Sequence, residues 1–100
     1  MRANRTVAVV AQFLVELFVP RTDALVVPAG VRRMRLAAED LARAGTAVRY
    51  LRSIFVPEDE ICFLLFEAAC AQDICDAARS ADLPFERISE AVTLAEPMEA

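Results

Sequence analysis

The chain has 100 residues and a mass of 11.0 kDa; 57% of the residues are hydrophobic, 26% are charged and only 2 are Gly. This composition excludes a disordered linker or a collagen-like chain and predicts one domain with one core. The net charge of −4 argues against a nucleic-acid or anionic-membrane binder, and the absence of His excludes any site built on imidazole.

In the first half of the domain, the sequence pattern predicts a strand, a helix and a second strand. Gln12–Val19 is dense in Phe, Val and Leu, which is typical of a buried strand, and a connector follows over Thr22–Val27. We predict a helix over Ala29–Ala44, because apolar residues recur there at helical spacing, and Gly45 stands where a helix-ending glycine belongs. The β-branched and aromatic segment Ala47–Val56 predicts the second strand.

In the second half of the domain, the sequence pattern predicts a hairpin, a helix and a last strand. The polar turn Pro57–Glu60 joins the second strand to a third over Ile61–Ala68. We predict a helix over Ala71–Ala81 and a strand over Ile88–Leu94. The order β-α-β-β-α-β with right-handed crossovers gives the α+β ferredoxin-like plait: a four-stranded antiparallel sheet with both helices on one face.

These elements divide the chain into a flexible N-terminal extension over residues 1–11, a single domain over 12–95 and a frayed tail over 96–100. No apolar run approaches the roughly 18 residues that a membrane span needs. The three cysteines are odd in number and have no CxxC spacing, which disfavours a disulfide framework and favours the cytoplasm.

Alternation of side chains along the strands assigns the residues to two faces of the sheet. The face away from the helices is expected to carry Leu14, Glu16, Phe18, Tyr50, Arg52, Ile54, Phe63, Leu65, Glu67, Glu90 and Val92. Leu51 and Ala91 fall on the helix side, although one β-bulge would move part of this assignment. A soluble monomer rarely exposes so apolar a face, so we expect a homodimer that packs sheet to sheet as a dimeric α/β barrel.

Charged side chains interrupt this apolar face, and buried charges must be paired or must bind something. The charged set comprises Glu16, Arg52, Glu67 and Glu90. One interpretation is a set of ion pairs at the rim of a dimer interface. The other is the polar floor of a pocket that binds a small ligand or a cation, with Tyr50 and Phe63 as its walls.

Three segments carry a resemblance to a known family: Leu51-Arg52-Ser53, Phe66-Glu67-Ala68 and the stretch Leu83–Glu90. From residue 13 to residue 94 the chain resembles a family of small bacterial domains of unknown function that is common in actinobacteria. One member is described as a nickel-binding protein with a ferredoxin-like fold and a dimeric state. The resemblance therefore implies the plait, the dimer and a divalent metal such as nickel.

The resemblance is incomplete at the second helix, where many relatives carry a His and this chain has Ala77. Any metal must then rely on Glu, Asp, Cys or backbone oxygen. We expect a small dimeric binding or accessory protein that holds a divalent cation or a small ligand in the cleft at the sheet face, with no nucleic-acid or membrane partner. The alternatives are a cofactor-independent monooxygenase or isomerase with Glu67 or Glu16 as general base, and a purely structural interaction domain.

Overall fold

The computed structural model describes residues 10–94 and has the predicted ferredoxin-like α+β fold. One antiparallel sheet has the strand order β2-β3-β1-β4, and both helices pack on one of its faces. The elements are β1 Ala11–Phe18, α1 Val27–Arg43, β2 Val48–Val56, β3 Ile61–Ala68, α2 Ala71–Ser80 and β4 Arg87–Ala91. Residues 1–9 of the predicted extension and the predicted tail lie outside the described residues, and Ala11 pairs with Ala68 in β1.

Helix α1 ends as the sequence predicts, at a glycine in the left-handed region. Gly45 has φ +104°, and its N–H donates to the carbonyl of Ala42 at 3.1 Å. The N–H of Thr46 donates to the carbonyl of Leu41 at 2.9 Å, which completes a Schellman motif. Before α1, Arg21–Val26 forms a 3-10 helix where we predicted an irregular connector.

The core lies between the sheet and the two helices. Small side chains on the inner faces of both helices, Ala37 and Ala38 on α1 and Ala77 and Ala78 on α2, are buried against it. They allow the helix backbones to approach the sheet closely. The largest fully buried side chains are Phe66, Met34, Leu64, Ile74, Val15 and Cys62.

A β-bulge in β2 changes which face its first half presents. Tyr50 pairs with Phe66 and Arg52 pairs with Leu65, so Leu51 is an extra residue without a partner on β3. Tyr50 therefore lies on the helix side. Its ring packs edge-on against that of Phe66, with the ring centroids 5.6 Å apart, and its hydroxyl donates a hydrogen bond to Ser53 Oγ at 3.1 Å. The predicted position of Tyr50 on the opposite face is wrong, because simple alternation fails at the bulge.

The last strand is shorter than predicted and has the opposite phase. Ile88 pairs with Val15 and packs on the core, and Glu90 pairs with the buried Phe13. Cross-strand partners share a face, so Glu90 lies on the helix side at the exposed sheet edge. Its predicted position is wrong, as is that of Ala91, because the phase follows Ile88, the large apolar residue of this strand.

Candidate functional site

The candidate site is the sheet face turned away from both helices, which we call the open face. The register arranges its side chains in four cross-strand rows. Read from β2 towards β4, the rows are Val56-Ile61-Phe18, then Ile54-Phe63-Glu16-Arg87, then Arg52-Leu65-Leu14-Ser89, then Arg49-Glu67-Gln12-Ala91.

Apolar side chains fill the centre and one end of the open face. Phe18 is 58% exposed and Ile54 is 54% exposed, while Phe63 and Leu65 are half-buried by their neighbours in the sheet. We call this continuous surface the apolar stripe; it consists of Leu14, Phe18, Ile54, Val56, Ile61, Phe63 and Leu65. Among residues 10–94, no element packs over it.

Four of the six predicted ligand-binding residues share the open face. Glu16 and Phe63 are direct cross-strand neighbours, Arg52 stands opposite Leu65, and Glu67 stands opposite Gln12. The other two, Tyr50 and Glu90, lie on the helix side, as described above, and cannot line the same cleft.

Glu67 and Glu16 each form an ion pair with an arginine on the open face. Glu67 Oε1 accepts hydrogen bonds from Arg49 Nη2 at 3.1 Å and from Arg49 Nε at 3.2 Å. Glu16 Oε2 lies 3.3 Å from Arg87 Nε. Neither arginine was predicted on this face, because the bulge reverses the face of Arg49 and because Arg87 precedes the predicted start of the last strand.

Arg52 differs from the other charges of the open face. Within the described part of the chain, its guanidinium makes no ion pair and no side-chain hydrogen bond. Its neighbours on the face include Leu65 across the strand pair and Ile54 along β2. With Arg49 it forms a positively charged patch at one edge of the face, which we call the basic corner.

Carboxylates gather at the diagonally opposite corner. A pocket of about 300 Å³ lies beside Phe18 and is lined in part by Glu16, Asp59 and Glu86. We call these three carboxylates the acidic corner. Between residues 10 and 94, Asp59 and Glu86 have no ion-pair partner, so the corner carries an excess of negative charge.

The cysteines do not add soft metal ligands to this face. Cys62 is buried in the core, where desolvation raises the pKa of its thiol, Cys70 is exposed just before α2, and Cys75 is half-buried. Within residues 10–94, no three His, Cys, Asp or Glu side chains are grouped so that they could hold a metal ion. No cluster in this part of the chain could therefore hold the predicted nickel ion.

We expect Cys70 to react with iodoacetamide at least about tenfold faster than Cys62 in the folded protein, because thiolates form and react where they are exposed. Mass spectrometry of peptides from a time course measures both rates in one sample. In urea the two rates should become similar. Equal rates in the folded protein would contradict the burial of Cys62.

No described helix, from α1 to α2, has the length and apolar content needed to cross a membrane.

No protein-family model matches the chain, and no curated protein matches it. The structure resembles the crystal structure of SCO4226 from Streptomyces coelicolor A3(2), with a TM-score of 0.62 and 14% sequence identity over 85% of this chain and 100% of that chain. The predicted membership in the actinobacterial family stays a prediction. The structural similarity is to a chain of the same ferredoxin-like α+β fold class.

Proposed function

We propose that this chain is a small homodimeric binding protein of the cytoplasm, whose two open faces pack together and hold a ligand between them. The observation that supports the proposal is the apolar stripe. Soluble monomers rarely leave so large an apolar surface in water, and a second copy of the same sheet offers a cover of the same shape.

The chemistry of the open face favours a small organic ligand over a divalent cation. Phe63, Leu65 and Leu14 would form apolar walls, and the ion-paired Glu16 and Glu67 would offer polar anchors at their edges. A cation would have to compete with arginine for both Glu16 and Glu67. The same ion pairs give no support to Glu16 or Glu67 as the general base of an enzyme.

Native mass spectrometry of tag-free protein, with and without added nickel, tests this proposal. We expect a dimer of twice the 11.0 kDa chain mass that carries a co-purified organic ligand and gains no mass with nickel. The tag must be removed, because its imidazoles would bind nickel themselves.

Each other outcome contradicts a stated part of the proposal. A monomer at micromolar concentration would contradict the dimer. A dimer that takes up nickel stoichiometrically would replace the organic ligand by a cation. A dimer that stays bare under both conditions would contradict binding and favour a structural role.

A further inference from the structure

The open face carries opposite charges at two diagonally opposite corners. Arg52 in the basic corner and Glu16 in the acidic corner are two strands and two residues apart in the register. With about 4.8 Å between strands and about 3.3 Å per residue, their Cα atoms lie about 12 Å apart across the sheet. The apolar stripe runs between them, so each charge stands at the margin of the apolar surface.

In a two-fold symmetric dimer of identical faces, the direction of the axis decides which residue of the second copy each charge faces. The two-fold axis of a face-to-face dimer lies in the plane of the interface, so each position faces its reflection across that axis. An axis parallel to the strands would place Arg52 over a residue of its own row in the second copy, which consists of Arg52, Leu65, Leu14 and Ser89. An axis perpendicular to the strands would place it over an open-face residue of β2 in the second copy, which is Arg49, Arg52, Ile54 or Val56. Neither arrangement gives Arg52 a carboxylate, and covering an unpaired charge is unfavourable because the charge loses its contact with water.

We call the line from Arg52 to Glu16 across the sheet the diagonal. We infer that the two copies dock about an axis perpendicular to this diagonal, so that the basic corner of each copy meets the acidic corner of the other. This orientation rests on the proposed dimer through the open face. It pairs Arg52 with carboxylates twice, once on each side of the axis. The diagonal runs about 45–55° from the strands, so the strands of the two sheets cross at about 70–90°, which is the orthogonal class of sheet packing.

Charge reversal tests this orientation. Arg52→Glu reverses the basic corner, and the double variant Asp59→Arg/Glu86→Arg reverses the acidic corner. Each variant alone should raise the dissociation constant of its homodimer about 10- to 100-fold, because both corner contacts become repulsive. Analytical ultracentrifugation measures these constants. Circular dichroism checks that the variants, which change exposed side chains, remain folded.

Mixing the two variants provides the decisive measurement. In a mixed dimer both corner contacts are attractive again, so its dissociation constant should return to within about threefold of the wild-type value. Native mass spectrometry distinguishes the mixed dimer from the homodimers by mass. Arg32→Glu is the matched control: it makes the same charge change on the exposed side of α1, should leave the homodimer intact and should not pair preferentially with the double variant.

The outcomes separate the orientation from the proposed dimer itself. A monomeric wild-type protein would contradict the dimer. A wild-type dimer that ignores both reversals, or variants that do not recover on mixing, would overturn the orientation and leave the dimer standing. If a reversed variant does not fold, the neutral pair Arg52→Gln and Asp59→Asn/Glu86→Gln takes its place. Additive effects of that pair on the dissociation constant would then overturn the orientation.

Discussion

Phe63→Asp is expected to convert the proposed dimer into a folded monomer. Phe63 lies between Ile54 and Glu16 in its row of the open face, in the apolar stripe. In a single copy the new carboxylate reaches water from a half-buried position, so the fold should survive. In the dimer the two-fold axis places two unpaired charges in the interface, and each costs several kcal/mol.

Sedimentation equilibrium of Phe63→Asp should show a rise of at least about 100-fold in the dimer dissociation constant. Leu25→Asp is the control, since Leu25 is 94% exposed, is equally apolar and lies in the 3-10 helix outside the open face. That variant should remain dimeric. A well-folded dimer of Phe63→Asp would show that the apolar stripe is not the interface.

The second large effect concerns stability. Phe66→Ala should lower the free energy of unfolding by about 3–5 kcal/mol, because it leaves a cavity in a close-packed core. Phe66 is 0% exposed and supports the ring of Tyr50. A domain of this size has about 5–15 kcal/mol of stability in all, so the variant should lose a substantial fraction of it.

Urea denaturation at one fixed chain concentration measures this loss, because the proposed dimerisation would make the apparent stability depend on concentration. Leu25→Ala removes a comparable apolar side chain from an exposed position and should change the free energy of unfolding by less than about 0.5 kcal/mol. Equal losses for Phe66→Ala and Leu25→Ala would contradict the described core.

The order and type of the elements could be predicted because each carries a strong local pattern. The dense apolar segments of β1 and β3, the helical spacing in α1 and the terminal Gly45 all report short-range physics. The 3-10 helix Arg21–Val26 was missed, since nothing in its composition separates it from an irregular connector.

The candidate site could be predicted only where the strands alternate without interruption. Glu16, Phe63 and Glu67 lie on β1 and β3, which are regular and pair with each other along their whole length. Tyr50 was misplaced because a bulge is decided by how β2 pairs with β3, which local sequence does not encode. Glu90 was misplaced because the phase of a five-residue edge strand follows its contact with the core.

The bulge at Leu51 also affects how the sheet meets other chains. β2 is an edge strand, and a regular edge presents a row of unpaired N–H and C=O groups on which a further strand can form. The extra residue interrupts that row, and the opposite edge, β4, is only five residues long. Growth by adding strands edge to edge, which leads to open-ended polymers, is thus discouraged at both sides of the sheet. The open face is then the surface left for self-association. In the proposed dimer each open face is covered by the other, so assembly would end at two copies.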